Sequence, residues 1–261
     1  MANQTLQHPL GWLDVVSPDI AATTAFLHKL FGWSETSRID VEGNDYILLA
    51  DAGRPVHGAE QIRPDQGSAR WTVFVTTTEV HSLVARAEAA GGTIDFPPTV
   101  LAQLGIIAMV TDPLGATLGV WQPLDLIPAS LESATAPFVV AQLGTSDLGR
   151  TSAFLCEVFG WVPIHRSSTT EDEPDSTPLS NTLHDSLRMH TGGAVAELVS
   201  SDQGQWIPVF GNARPELNDM AISLGGTVVP VGNDLVRIAD PAGAEFLLLG
   251  RPGSQLDILP A

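Results

Sequence analysis

Only one cysteine, Cys156, occurs among the 261 residues, which excludes an internal disulfide framework and any thiolate cluster for structural zinc. Its neighbours in FLCEVFGW put that thiol on an apolar helix, the setting of an inert packed side chain. Positive charge is also scarce. The 12 Lys and Arg stand against 30 Asp and Glu, for a formal charge of −18. A field of that sign repels phosphate backbones and anionic lipid, so nucleic acid is not an expected partner. No run approaches the roughly 20 apolar residues of a membrane span. The opening MANQTLQHPLGWLD lacks the basic-then-apolar order of a signal peptide, so a cytoplasmic protein free of the membrane is expected. Phosphate loops, Gly-x-Gly-x-x-Gly turns and Gly-x-Ser-x-Gly elbows are missing, and no cofactor is implied. What remains is ordinary globular composition, with 44% hydrophobic and 16% charged residues, 24 Gly and 19 Pro, in a length suited to one large or two ordinary domains.

The main feature present is a repeat. DIAATTAFLHKLFGW at 19–33 matches DLGRTSAFLCEVFGW at 147–161, and TDPLGATLGVWQP at 111–123 matches ADPAGAEFLLLGR at 239–251, both at an offset of 128 residues. Between them, Trp71 pairs with Trp206 and AGGT at 90–93 with LGGT at 224–227, at offsets of 135 and 134. The second copy therefore carries an insertion that is later given back. It is HRSSTTEDEPDSTPLSN, 165–181, whose Ser, Thr, Pro and acidic content reads as a loop.

Each copy runs through the same periodicities. A strand-like segment (Trp12–Val16; Phe138–Gln142) precedes a helix in which Ile20, Leu27, Leu30 and Phe31 fall at helical spacing, behind an Asp19 cap and before Gly32. Strand signals follow at Tyr46–Ala50, Val56–Gly58 and Trp71–Val75. A second helix with Val80, Leu83, Val84 and Ala87 on one face closes at Gly91-Gly92, and strands at Thr93–Asp95, Gly105–Thr111 and Ala116–Trp121 end the copy. The pattern is βαβββ four times over, an α+β class in which modules of about 60 residues must pair to close a core.

FLHKLFGW after a strand and an Asp turn, WTVFVTTTEVHSLVARAEAAGGT, and TDPLGATLGVWQP resemble the signature segments of the vicinal oxygen chelate superfamily, which includes glyoxalase I, extradiol dioxygenases and bleomycin-resistance proteins. Within it the chain is most similar to the tandem actinobacterial glyoxalase-like proteins typified by the 27 kDa antigen. The resemblance implies four βαβββ modules forming two tandem domains with curled mixed sheets. These are a glyoxalase-like domain at 8–125, a linker at 126–135, and a second domain at 136–251 that carries the insertion at 165–181.

In the catalytic branch of that superfamily a divalent cation is held by two His and a Glu. Carried over by spacing, those places fall on Trp12, Thr72 and Gly119 in the first copy, and on Val140, Ile207 and Leu247 in the second. None of these side chains suits a hard or borderline cation, so no metal is expected. Of the seven histidines, His8, His28, His81 and His165 read as surface side chains; His184 and His190, with Arg188 between, share one strand face; His57, in Arg-Pro-Val-His-Gly, falls on a strand that in this fold tends to line the cleft, and reads either as cleft-lining or as structural.

Strand alternation with Trp12 inward brings Asp14 inward beside it, and likewise Thr72 with Phe74 and Gly119 with Trp121. The first copy then presents an aromatic cup of Trp12, Tyr46, Phe74 and Trp121, with Asp14, Thr72, His57 and Arg38 as polar handles. The second offers Val140, Gln142, Ile207, Val209, Leu247 and Leu249, a mainly aliphatic set apart from Gln142 and Glu245. Asp112 and Asp240 belong to Asp-Pro-x-Gly turns. Asp14 inside an aromatic pocket has its charged form disfavoured by desolvation, toward a useful general base.

Two function classes follow. One is a metal-free small-molecule-binding protein, monomer or homodimer, that holds an aromatic or polyketide-like ligand through Trp12, Tyr46, Thr72, Phe74, Trp121 and Gln142. The other is a metal-independent isomerase, cyclase or lyase of secondary metabolism, in which Asp14 or His57 moves a proton. A protein-interaction role rests on the resemblance alone. Glyoxalase chemistry wants the missing metal.

Overall fold

The computed structural model describes residues 8–41, 44–101, 104–124, 137–164, 186–191, 195–211, 216–231 and 235–249. The expected linker 126–135, the insertion 165–181, and His165 and His184 lie outside the described residues.

Four strand–helix–three-strand modules follow one another, so the chain is α+β. The first holds β1 (Leu10–Ser17), α1 (Ile20–Phe31), β2 (Ser34–Val41), β3 (Asn44–Asp51) and β4 (Arg54–Gln61). The second holds β5 (Arg70–Thr76), α2 (Val80–Ala89), β6 (Thr93–Leu101), β7 (Gly105–Thr111) and β8 (Thr117–Pro123). The third holds β9 (Phe138–Thr145), α3 (Leu148–Phe159), β10 (Val162–Pro163), β11 (Ser186–His190) and β12 (Val195–Ser200), and the fourth β13 (Trp206–Phe210), α4 (Glu216–Ser223), β14 (Thr227–Pro230), β15 (Leu235–Ala239) and β16 (Glu245–Leu249). Two eight-stranded mixed sheets result, ordered β2-β3-β4-β1-β5-β8-β7-β6 and β10-β11-β12-β9-β13-β16-β15-β14. Within each module the first strand pairs parallel with the last, and the two modules of a sheet join through antiparallel β1–β5 or β9–β13. Among the described residues no helix is long and apolar enough to cross a membrane.

Local chemistry accounts for the helices. The Asp19 carboxylate accepts from the Ala22 amide at 3.1 Å, and Gly32 ends α1 at φ 79°. Asp147 and Gly160 do the same for α3. The apolar stripes of all four helices, with Cys156 partly buried at their margin, face one core shared by both sheets. At its centre Phe210 lies 5.4–5.7 Å from the rings of Phe31, Trp33, His57, Trp71 and Phe246.

The repeated Gly-Gly pairs have a reciprocal use in this core. A Cβ on Gly92 would sit 3.0 Å from the Phe154 ring, and one on Gly226 would sit 2.9 Å from the Phe26 ring. Each copy thus leaves room for the helix phenylalanine of the other. Asp112 and Asp240 close their turns as expected, each Oδ1 accepting two backbone amides. Asp240 Oδ2 also accepts from Thr23 Oγ1 at 2.6 Å, a tie between the copies that the turn motif does not announce.

Candidate functional site

The face of the first sheet turned away from the shared core carries a separate cluster of Trp12, Tyr46, Leu48, Phe74, Leu104 and Trp121. Tyr46 on β3 lines one cavity with Ile107 and Met109 on β7, although these strands lie far apart in the sheet order, so the sheet curls into a cup. Alternation works as expected along β1, β5 and β8: Leu13, Val15, Trp71, Val73, Leu118 and Val120 enter the core, while Trp12, Asp14, Thr72, Phe74 and Trp121 face the cup.

Above this cluster opens a cavity of about 310 Å³. Its walls are chiefly apolar, with Phe74, Phe96, Leu104, Ile107 and Met109, and its polar members are Asp14, Tyr46, Glu60, Arg70 and Thr72. Trp12 and Trp121 are 3% exposed, lie 5.5 Å apart between ring centroids, and border only a minor void beneath. They form the floor of the cup. Trp121 Nε1 donates to the Leu104 carbonyl at 2.8 Å, which holds the segment entering β7 against that floor.

Asp14 Oδ1 accepts from Trp12 Nε1 and from Tyr46 Oη, each at 2.7 Å, and the indole N–H lies 3.0 Å from the Tyr46 oxygen as well. Burial pushes the Asp14 carboxyl up to about 7, and the nearby Glu60 charge adds to that, against the hydrogen bonds from Tyr46, Trp12 and the Gly58 backbone, which favour the ionised form. Burial and the neighbouring Asp14 hold the Tyr46 phenol well above its ordinary value, so it stays a donor. Gly58 makes the triad possible, because a Cβ there would lie 2.0 Å from both Asp14 Oδ1 and Tyr46 Oη.

His57 is a correction. It does not line the cup. Opposite β3, Leu49 pairs with His57 and Ala50 with Pro55, leaving Val56 as an extra residue. The bulge adds Val56 to the core face beside His57, while alternation from Gly58, the partner of Asp14, leaves Gly58 and Glu60 on the cup side. His57 is 1% exposed, packed 4.4 Å from the Trp33 ring and 5.7 Å from the Trp71 ring, and among the described residues neither of its nitrogens has a hydrogen-bond partner. Burial lowers its pKa to about 3, so the imidazole is neutral. Arg38 is corrected too: it lies exposed on β2, paired with Glu35 and Asp45 at 2.8 Å each. Glu60, Arg70 and the β6–β7 residues were missed by sequence reasoning. Strict alternation from Asp14 to its partner Gly58 would have found Glu60.

Gln142 belongs to the second sheet, where its Nε2 donates to Glu197 Oε2 at 3.1 Å. Arg188 Nε lies 3.4 Å from Glu197 Oε1. On the same sheet Val140, Ile207, Val209, Leu247 and Leu249 pack together with Leu235 in a separate aliphatic cluster. The two cups are chemically unequal.

Residues 9–120 match the model of the Glyoxalase/Bleomycin resistance protein/Dioxygenase superfamily. Over 260 residues the chain is 27% identical to the anthracycline biosynthesis protein DauV of Streptomyces sp. (strain C5), covering 90% of each, and equally to the anthracycline biosynthesis protein DnrV of Streptomyces peucetius. Among solved structures it is similar to the 2,3-dioxygenase LapB from Pseudomonas sp. KL28, with a TM-score of 0.64 at 12% identity over 95% of this chain and 94% of that one. That likeness concerns the fold.

The metal that the catalytic branch of the superfamily carries does not fit the residues here. Its three places hold an indole, a hydroxyl and a glycine in the first cup, and three aliphatic side chains in the second. A Cβ on Gly119 would sit 2.1 Å from the Phe74 ring, so that ring fills the space a ligating side chain would need. Among the described residues no three His, Cys, Asp or Glu side chains are grouped to hold an ion.

Proposed function

We propose that the protein binds an aromatic or polyketide-like small molecule in the cup of the first sheet, independently of a metal ion, in secondary metabolism. The cavity carries this reading: about 310 Å³, the lower end of the range for small-molecule sites, with aromatic and aliphatic walls and a few convergent polar groups. The similarity to two anthracycline biosynthesis proteins across 90% of the chain supports the class of ligand. A flat polycyclic ligand would lie between Phe74 and Phe96 above the tryptophan floor, with Thr72 and Asp14 as its hydrogen-bonding partners.

Titration of the chain with 1,4-dihydroxyanthraquinone in excess EDTA, read by tryptophan fluorescence, tests this. Saturable one-site quenching that Thr72→Trp abolishes by filling the cavity is the expected result. Binding that needs added metal, or that persists in Thr72→Trp, would overturn it.

A second reading is favoured by Asp14 alone. A buried carboxyl held at about 7 beside a ligand cavity has the proton affinity of a general base at neutral pH. On that reading the protein is a metal-independent isomerase, cyclase or lyase, Asp14 takes a proton from the bound molecule, and Tyr46 stabilises the carboxylate before the transfer.

A further inference from the structure

Glu60 stands on β4 directly across from Tyr46 on β3 and from Val16 on β1, and its side chain lines the cavity. It is partly buried, yet among the described residues nothing forms a hydrogen bond or ion pair with its carboxylate. Arg70 shares the cavity lining, but it is exposed, and its Nη1 donates to the Ser68 carbonyl at 3.2 Å. A half-buried carboxylate turned into an apolar cavity without a hydrogen bond, its charge offset only in part by Arg70, costs free energy that a bound group can recover. Asp14 adds a second carboxyl to the same wall. Phe74, Phe96 and Tyr46 bring aromatic rings, a kind of group that attracts a cation, to the same lining. The protein as a whole carries −18, a field that concentrates cations and repels anions.

From this juxtaposition we propose that the ligand of the first cup carries a basic amine, whose ammonium group is held by the Glu60 carboxylate while the aromatic part fills the apolar walls. This rests on the reading of the cup as an aromatic-ligand site and names the ligand's chemistry more narrowly. Glu60 is the specificity-determining residue. The Glu60 carboxyl is raised above its ordinary value by burial, and its charge raises Asp14 in turn. An ammonium group relieves both, because opposite charge favours the ionised form of each acid. A neutral hydroxyl ligand would give Glu60 one hydrogen bond and leave the two acids in mutual repulsion.

The test uses the full chain and a matched pair of probes, 1-naphthylmethylamine and its N-acetyl derivative, titrated by calorimetry at pH 7.5 beside 1,4-dihydroxyanthraquinone. A charge-assisted hydrogen bond predicts that the amine binds about tenfold or more tighter than the amide. The preference should shrink in high salt and collapse below about threefold in Glu60→Gln. Circular dichroism and thermal melting confirm that this isosteric variant is folded. Equal binding of the two probes, tighter binding of the amide, or a preference that survives Glu60→Gln overturns the amine assignment alone. Failure of both naphthyl probes while the anthraquinone binds also overturns the amine assignment and leaves the aromatic cup standing. Failure of all three overturns the cup reading and the amine assignment with it.

Discussion

Tyr46 Oη and Asp14 Oδ1 lie 2.7 Å apart above the α-carbon of Gly58, and the phenol donates to the carboxylate inside the cup. That hydrogen bond opposes the burial that drives the Asp14 carboxyl up to about 7. Tyr46→Phe removes it and should move the Asp14 titration to higher pH, which carboxyl-carbon NMR of selectively labelled Asp can follow. An unmoved or lowered midpoint would show that the phenol is not what holds the ionised form.

Asp14→Asn keeps the shape of the side chain and removes the base. If the protein turns over its ligand, the variant should bind nearly normally and react roughly 10²-fold or more slowly; full turnover would eliminate Asp14 as the base. Stability gives a second readout. Because the folded-state pKa lies above the ordinary value of 3.8, the unfolded chain holds fewer protons between these limits, and native Asp14 costs increasing stability as pH rises from about 4 to about 7. The melting temperature of Asp14→Asn relative to the parent should therefore climb between pH 4 and pH 8.

Gly58→Ala places a methyl group 2.0 Å from both oxygens of the triad. One of the two side chains must leave, at an overpacking cost of about 1–3 kcal/mol. Loss of anthraquinone binding with the fold retained is expected; unchanged affinity would mean that the Tyr46–Asp14 contact is dispensable for the ligand.

His57 titrates in the opposite sense. Its folded pKa of about 3 lies below the ordinary 6.5, so the unfolded chain takes up a proton that the native core refuses. The stability that neutral His57 contributes is complete above about pH 6.5 and is lost as pH falls toward 3, amounting to about 2 kcal/mol by pH 5. Denaturant unfolding at pH 7 and pH 5 should show a smaller acid loss in His57→Leu than in the parent. Equal losses would place the acid sensitivity elsewhere.

Most of the framework was legible because it rests on local chemistry. Asp19 as cap, Gly32 as stop, and the apolar stripes of the helices all act within a few residues of themselves, and the repeat carries the same chemistry to Asp147 and Gly160. The inward set Trp12, Asp14, Thr72 and Phe74 followed from a period of two. β2 carried no usable signal, because an edge strand exposed along most of its length needs no apolar alternation. β6 runs to Leu101 beyond its expected end at Asp95, through Pro97 and Pro98, which an edge position tolerates. The site failed where register failed. The pairing of Asp14 with Gly58 puts Gly58 and Glu60 on the cup face and His57 on the core face, and that pairing is a long-range fact that the residues of β4 do not show by themselves. The place of Trp12 and Trp121 at the floor depends on how far the sheet curls, which is set by contacts between its distant strands.

The mutual seating of Phe26 on Gly226 and Phe154 on Gly92 is the geometry of a twofold dimer written into one polypeptide. In a true homodimer every substitution appears in both subunits at once, so a cup altered for one purpose is altered twice. Fusion removes that constraint. The Gln142–Glu197–Arg188 cluster and its aliphatic surround could then diverge into a support, while the sister half kept an open chamber. Duplication of this kind lets one half change without the other while both stay bound to the same shared core.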